Sequence, residues 1–296
     1  MSMKILSFLF CFFLLTILLP ITIYADMGPK PSVVIDFEGF EGEKYYVTLL
    51  SEEDSTGPYS SNAKIYDNQE DNKDVEYNDP WQKFSSYKDK DGYYFLNYLD
   101  DCSDNSRFAW TYYPPSKFKV LLYFPEYDKF LVSEQIYERY AFDSYFYVDA
   151  KDKDIQSISS GSNIIKAVKN YDFTFELITL FARIVLTIII EIVVALCFGL
   201  TTKKQLFIIA VTNIFTQTIL NVLLNIINYY YGSFAFIFNY IWMEAIVIMI
   251  EVITYSIFLN KYRNLKSIKK RTVIIYALLA NIISFISGLY VNSIIL

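Results

Sequence analysis

The fold of this chain is decided by residues 177–200, which read LITLFARIVLTIIIEIVVALCFGL. Three further apolar segments follow, at about 205–228, 234–259 and 273–295. Each segment is longer than the roughly 20 residues that an α-helix needs to cross the hydrocarbon core of a bilayer. The sequence therefore predicts a transmembrane domain over residues 177–296, built as a four-helix bundle.

Basic residues between these segments predict their orientation. Two lysines lie in the linker 201–204, six Lys and Arg residues lie in the linker 260–272, and neither linker holds an acidic residue. Because cytoplasmic loops of membrane proteins are enriched in Lys and Arg, we expect both linkers in the cytoplasm. The sequence thus predicts a multi-pass protein of the plasma membrane, with residues 26–172 and the C-terminus outside the cell.

Residues 1–25 have the features of a secretory signal peptide, which agrees with that orientation. Lys4 supplies a positive charge, residues 5–19 form an apolar region, and Pro20 ends it. Ala25 is the small residue expected at a cleavage site, so we expect cleavage after it. The alternative is that the segment is retained as a fifth span, which would leave the later orientation unchanged.

Residues 26–160 have the composition of a separate exported domain. Short runs rich in Val, Ile, Tyr, Phe and Thr are separated by Gly, Pro, Asp and Asn, which is typical of strands and turns. The candidate strands are residues 32–37, 45–50, 93–98, 108–112, 118–124, 129–133 and 144–149. They predict an all-β extracytoplasmic domain with a β-sandwich fold. Residues 67–79 are expected to form a polar loop, and residues 161–176 a juxtamembrane linker.

Acidic residues dominate the predicted outer domain. Of the 32 Asp and Glu residues only four lie beyond residue 172, so residues 26–172 hold 28 of them against 16 of the 26 Lys and Arg residues, a net charge near −12. Nucleic-acid binding depends on basic side chains that neutralise phosphates, so a nucleic-acid partner is excluded. The chain has no histidine, which excludes His-based triads and His-ligated metals.

Other motifs indicate no cofactor, no metal site and no catalytic residue. Asp89-Lys90-Asp91-Gly92 resembles a fragment of a calcium loop, but Tyr98 stands where such a loop needs its final carboxylate. The chain has no Gly-rich phosphate loop and no nucleophile elbow. We therefore expect a protein that is not an enzyme.

Polar residues recur on one face of every predicted span. Residues three, four or seven apart lie on the same side of a helix, because each residue advances the helix by about 100°. Polar groups are costly in lipid and normally face the interior of a bundle. We therefore predict an intramembrane polar seam formed by Arg183, Thr187, Glu191, Asn213, Gln217, Asn221, Asn225, Glu244, Glu251, Tyr255, Asn281 and Ser284.

Depth along the helices divides the polar seam into two layers, counted at about 1.5 Å per residue. The inner layer, nearer the cytoplasm, consists of Glu191, Asn213, Glu251 and Asn281. The outer layer consists of Arg183, Asn221 and Glu244, and an ion pair between Arg183 and Glu244 is expected. Two acids in one low-dielectric layer cannot both stay charged without a shared proton or cation. The seam is either structural, or a proton- or cation-responsive site, and both interpretations stay open.

Five stretches of the chain form a distinctive pattern: DMGPKPS at 26–32, TLLS at 48–51, STGPY at 55–59, WTYYPPS at 110–116 and YERYAFDSY at 137–145. Together with the seam-bearing helices they resemble a family of uncharacterised membrane proteins from low-GC Gram-positive bacteria. The resemblance covers nearly the whole mature chain and implies a signal peptide, an extracytoplasmic domain and four C-terminal transmembrane helices. That family has no established activity, so the resemblance implies no catalytic residue.

The sequence favours a non-enzymatic protein of the cell envelope, whose outer domain binds a ligand or partner and whose bundle anchors that domain or relays its signal. The bilayer surrounds the helices, and a protein partner or a homo-oligomer in the membrane is consistent with this interpretation. The alternative is a small transporter or channel component that uses the polar seam for protons or cations. A third hypothesis is an intramembrane enzyme with Glu191 and Glu251 as acid and base.

Overall fold

A computed structural model of the chain describes residues 28–57, 60–63, 75–151, 153–160, 162–259 and 270–295. The predicted signal peptide and most of the basic linker 260–272 lie outside the described residues. A region of β-sheets comes first and long helices follow it. The predicted order of a β region and an apolar helical region is therefore confirmed.

The described residues form thirteen strands and four α-helices. The strands are β1 (Ser32–Glu38), β2 (Tyr46–Ser51), β3 (Ser55–Gly57), β4 (Ser60–Ser61), β5 (Tyr94–Phe95), β6 (Asp100–Asp101), β7 (Arg107–Trp110), β8 (Lys117–Phe124), β9 (Lys129–Ser133), β10 (Tyr137–Glu138), β11 (Asp143–Asp149), β12 (Ser162–Ile165) and β13 (Ala167–Lys169). The helices are α1 (Val75–Ser86), α2 (Thr174–Cys197), α3 (Lys203–Phe258) and α4 (Lys270–Ile295). Every predicted strand overlaps an observed one.

Two sheets make up most of the β region. The first has the strand order β13-β11-β1-β7, and the second has the order β12-β9-β8-β2-β5, with β10 beside β8 and β6 beside β2. Strand β1 pairs with β11 in parallel and with β7 antiparallel, so the first sheet is mixed. The parallel pair joins the first strand of the region to one of its last strands, which closes the domain.

One hydrophobic core is shared by residues of the two sheets. Val33, Ile35 and Phe37 alternate along β1 and are buried in it, together with residues such as Leu122 of β8. Alternation places these side chains on one face of each strand. At about 25 cal/mol per Å² of apolar surface removed from water, this burial is the main force that holds the sheets together.

Residues 67–74 of the predicted loop 67–79 lie outside the described residues, and the end of that prediction is corrected, because helix α1 begins at Val75. The segment is polar and contains Pro80, so its helix propensity is low. Phe84 of α1 is nevertheless completely buried, and its ring lies 5.6 Å from that of Phe95 and 6.1 Å from that of Tyr123, measured between centroids. Packing of this aromatic side chain on the second sheet stabilises the helix where local propensity does not.

The predicted juxtamembrane linker 161–176 is also corrected. Strand β12 pairs with β9, β13 pairs with β11, and α2 begins at Thr174. Ile165 and Ala167 are buried in the shared core. The β region therefore extends to Lys169, and only residues 170–173 connect it to the helices.

Three helices of the described chain are long and apolar enough to cross a membrane: α2, α3 and α4 over Lys270–Gly288. On α2 the residues facing outward are Leu177, Phe181, Val185, Ile189 and Val193, each more than half exposed. The buried residues of the same helix are Arg183, Thr187, Glu191 and Ala195. An apolar exterior around a polar interior is the pattern expected of a protein in lipid.

Helix α3 has two arms that fold back on each other. Gly232 inside it has φ +81° and ψ 176°, which is not helical. Across this break, the Asn213 amide donates to the Tyr255 hydroxyl at 2.9 Å and the Thr216 hydroxyl donates to Glu251 at 2.7 Å. The first arm (203–231) and the second arm (233–258) correspond to the apolar segments predicted at 205–228 and 234–259.

Gln205 ties the two ends of α3 together. Its backbone N–H donates to the Thr202 hydroxyl at 3.2 Å, and its side chain accepts from the Thr202 N–H at 3.4 Å. This capping box satisfies backbone donors that the first turn of a helix leaves unpaired. The Gln205 amide also donates to the carbonyl of Leu259 at 3.2 Å, so the start of the first arm is fastened to the end of the second.

Candidate functional site

The structure buries most of the predicted polar seam. Eleven of the twelve residues are at most 7% exposed: Arg183, Thr187, Glu191, Asn213, Gln217, Asn221, Glu244, Glu251, Tyr255, Asn281 and Ser284. Asn225 is half-buried. The four-residue repeat on the helices thus places these side chains toward one another, between α2, the two arms of α3, and α4.

Glu191 lies at the centre of the inner layer. Its Oε2 atom accepts hydrogen bonds from the Asn213 amide at 2.7 Å, the Tyr255 hydroxyl at 3.0 Å and the Tyr276 hydroxyl at 3.3 Å. Three donors on one oxygen stabilise the charged form of a carboxyl group. Tyr276 is absent from the predicted seam, because a tyrosine in an apolar segment also fits a lipid-facing or interfacial position.

Glu251 is the second acid of the inner layer. Its Oε1 accepts from the Thr216 hydroxyl and its Oε2 from the Asn281 amide, both at 2.7 Å. Tyr255, which donates to Glu191, lies one helical turn after Glu251, so the two acids face the same layer. The acid pair therefore stands where four helical segments meet. Thr216, three residues after Asn213 on the same face, is a further residue that the sequence analysis misses.

Several oxygen atoms of the inner layer accept no hydrogen bond from any described residue. They are Glu191 Oε1, Asn213 Oδ1 and Asn281 Oδ1, all buried. Burial of an acceptor without a donor costs about 1–3 kcal/mol. The inner layer thus has unused capacity for a positively charged group.

The outer layer holds the sole basic residue of the four apolar segments, Arg183. Its Nη1 donates to Asn221 Oδ1 at 2.9 Å, and its guanidinium carbon lies 5.4 Å from the ring centroid of Phe236 and 5.3 Å from that of Tyr240. Glu244, its expected ion-pair partner, is buried on the second arm of α3. The amide and the two rings together hold this cation in a buried position.

Aromatic residues connect the β region to α3, and we call this contact the joint. The N–H of Phe142 donates to the carbonyl of Tyr229 at 2.8 Å. The Phe142 ring lies against Gly232, where a Cβ atom would come within 2.6 Å of it. The rings of Tyr140 and Tyr171 lie 6.3 Å and 5.0 Å from that of Tyr229. The joint consists of Tyr140, Phe142, Tyr171, Tyr229 and Gly232.

The calcium-loop fragment binds a lysine. Lys119 Nζ donates to both carboxylate oxygens of Asp89 at 3.0 Å and 2.8 Å, and it also contacts Asp91. The ammonium group therefore occupies the position that a cation would need, and the two carboxylates neutralise a buried lysine. Elsewhere, too, no group of three or more His, Cys, Asp or Glu within the described residues could hold a metal ion.

Comparison of the chain with models of protein families finds no match, and comparison with curated proteins finds none. The fold and the seam therefore define the class by themselves. It is a protein with an N-terminal β region and three long apolar helices, which is consistent with a membrane protein. The resemblance to a family of Gram-positive membrane proteins stays a prediction.

Proposed function

We propose that this chain is a non-enzymatic integral membrane protein of the bacterial cell envelope, in which an extracytoplasmic β-sandwich domain binds a ligand or partner and is coupled to a four-helix transmembrane bundle. The four spans are α2, the two arms of α3, and α4. The joint carries the proposal, because it connects the β region to the turn between two spans.

The β region is attached to the helices at two places. One attachment is covalent: β13 leads through residues 170–173 into α2, and the N–H of Asn170 donates to the carbonyl of Tyr145 at 2.9 Å. The other is the joint, with its backbone hydrogen bond from Phe142 to Tyr229. A domain attached at one point can rotate independently of the helices, whereas a domain attached at two points transmits its rotation to them. Ligand binding that tilts the domain would therefore displace the turn at Gly232.

Charge indicates the kind of partner that the outer domain would take. Residues 26–172 carry a net charge near −12. Complementary charge speeds association and disfavours partners of the same sign. A basic surface on the partner therefore fits the domain better than an acidic one.

An impermeant maleimide applied to intact cells tests the orientation. The chain used has its native cysteines replaced by serine and carries one new cysteine, either Asp104→Cys in the β region or Lys203→Cys at the start of α3. Both positions are exposed, so membrane sidedness decides whether they react. We expect Asp104→Cys to react in intact cells. Lys203→Cys should react only after the cells are permeabilised. The opposite labelling pattern would show that the orientation is reversed and would refute the proposal.

Chemical cross-linking in cells, followed by mass spectrometry, tests for a partner. We expect lysines of the β region in cross-links to another envelope protein or to a second copy of the chain. Cross-links confined to single copies would contradict a partner-binding role.

Hydrogen exchange of the full chain in lipid nanodiscs tests the coupling. Phe142→Ala removes the ring from Gly232, so amides around Gly232 should exchange faster. Tyr94→Ala, which alters an exposed tyrosine of β5, is the matched control and should leave them unchanged. Equal exchange near Gly232 in both variants would show that the β region and the turn are independent.

A second function, movement of protons or cations through the seam, is favoured by the burial of two acids, Glu191 and Glu251, in one layer of the bundle. Glu191→Gln and Glu251→Gln should each abolish a proton- or cation-driven flux in proteoliposomes. Glu134→Gln, at an exposed position of the β region, is the control. Flux that persists in both seam variants would exclude transport through these acids.

A further inference from the structure

We infer that the inner layer is a binding site for one dehydrated monovalent cation, held by Glu191, Asn213 and Asn281 beside Glu251. The inference deepens the second proposed function and rests on the placement of these helices in the membrane. Binding itself does not require flux, so the two are tested separately.

The hydrogen-bond donors of the inner layer are all in use. The Asn281 amide gives its two hydrogens to Glu251 and to the carbonyl of Ala277, at 2.7 Å and 2.9 Å. The Asn213 amide nitrogen lies within hydrogen-bond distance of three acceptors, Glu191 at 2.7 Å, the Tyr255 hydroxyl at 2.9 Å and the carbonyl of Ile209 at 3.0 Å, which share its two hydrogens. Turning either amide over would point its oxygen at two acceptors, so the amide orientations are determined by their surroundings. The unpaired polar atoms of the inner layer are therefore hydrogen-bond acceptors.

The unpaired atoms are Glu191 Oε1, Asn213 Oδ1 and Asn281 Oδ1, on residues that are at most 1% exposed. Each belongs to a group that is already bonded to, or is part of, the acid pair. One proton between two oxygens would satisfy a single pair and leave at least one oxygen without a partner. A cation coordinates several oxygens at once, so it satisfies the whole set.

The charge of the ligand set fits a monovalent ion. Both oxygens of Glu251 and one of Glu191 already accept hydrogen bonds, so a single carboxylate oxygen remains free for an ion. The other two free oxygens are neutral amides. A divalent ion prefers several carboxylates, whereas carbonyl oxygens can replace the hydration shell of a monovalent ion, as they do in potassium channels.

The apolar segments provide no basic side chain to the inner layer in place of the cation. The four apolar segments contain a single base, Arg183, which is bonded to Asn221 in the outer layer. Arg183 precedes Glu191 by eight residues on α2, a separation of about 12 Å along the helix axis. The groups that face the acid pair from α3 and α4 are Asn213, Thr216, Tyr255, Tyr276 and Asn281, and each is neutral when it donates to a carboxylate.

Radioactive sodium tests the inference on the full chain in nanodiscs of phosphatidylcholine, with choline chloride keeping the ionic strength constant. We expect saturable binding of one sodium ion per chain. Glu191→Gln should abolish it, and Asn281→Ala should weaken it by about tenfold or more. Asn239→Ala is the matched control: its amide lies on the second arm of α3, outside the seam, and bonds to the carbonyl of Ala235. It should bind sodium like the wild type.

A second measurement keeps the test decisive when a variant folds poorly: the melting temperature in sodium chloride is compared with that in choline chloride. A bound ion stabilises the folded chain, so the wild type should melt at a higher temperature in sodium. Asn281→Ala should show a smaller difference. The inference is overturned when the wild type shows neither saturable sodium binding nor a sodium-dependent shift in melting temperature. It is also overturned when calcium displaces the bound sodium and monovalent ions do not.

Flux measurements then separate this inference from the function that it deepens. Sodium binding without any flux leaves the site in place and excludes transport. A proton flux that needs Glu191 and Glu251, in a chain that does not bind sodium, supports transport and overturns the cation site.

Discussion

Replacing Gly232 with alanine should loosen the joint between the β region and α3. The backbone at Gly232 has φ +81° and ψ 176°, a conformation that costs a residue with a side chain about 1–3 kcal/mol. The new Cβ would also lie 2.6 Å from Cε1 of Phe142, and such overpacking costs about 1–3 kcal/mol. The two terms together give about 2–6 kcal/mol, a large fraction of the stability of an ordinary domain.

Gly199 supplies the matched control for this variant. It also has a positive φ, +77°, but nothing lies within 4 Å of the Cβ that alanine would add. Gly199→Ala therefore carries the backbone cost alone, about 1–3 kcal/mol. The difference between the two variants measures the contact with Phe142. Adding Phe142→Ala to Gly232→Ala removes the clash, so the double variant should cost less than the sum of the two single ones.

Two measurements on the full chain in nanodiscs check this prediction. Thermal unfolding ranks the variants, and we expect the wild type above Gly199→Ala and Gly199→Ala above Gly232→Ala. Hydrogen exchange at the Phe142 amide, which donates to Tyr229 at 2.8 Å, reports the joint directly. Equal melting of the two alanine variants, with the Phe142 amide protected in both, would refute the account of the joint.

Further predictions concern the β region. Lys119→Met leaves the Asp89 carboxylate, 1% exposed, buried without its partner, so chemical denaturation should show a loss of about 3–5 kcal/mol, whereas Lys90→Met at an exposed position should change little. The hydrogen bond from Lys119 lowers the pKa of Asp91 from its ordinary 3.8; the stability from this contact is complete above that value and should decline as the pH falls below it, and a flat acid titration would contradict this. Burial raises the pKa of the Cys102 thiol, so a maleimide should modify this thiol only after the chain unfolds. Rapid labelling of the native chain would contradict this prediction.

The strands could be predicted where local pattern carries the information, and their pairing could not. Residues 32–37 are rich in β-branched and aromatic residues, and β1 forms there. Its parallel partner β11 lies more than a hundred residues later, and no local feature encodes that choice. Helix α1 could not be predicted because Phe84 stabilises it through contacts with distant strands.

The two layers of the seam follow from helix geometry, which is regular enough to give both face and depth. The structure brings Asn213 to Glu191 and Asn281 to Glu251, within the inner layer proposed from depth alone. The hydroxyl of Tyr276 could not be assigned, because tyrosine is also common at lipid-facing and interfacial positions. The joint could not be foreseen at all, since it depends on how two separately patterned regions lie against each other.

The aromatic rings gathered at Tyr229 also govern how the β region can be handled at the bench. A fragment cut after Lys169 would leave Tyr140 and Phe142 facing water in place of α3. Contiguous apolar patches of this kind promote self-association. A ligand screen on such a truncated fragment would detect binding to an apolar surface that the intact protein covers. The screen should therefore use the complete chain in a bilayer.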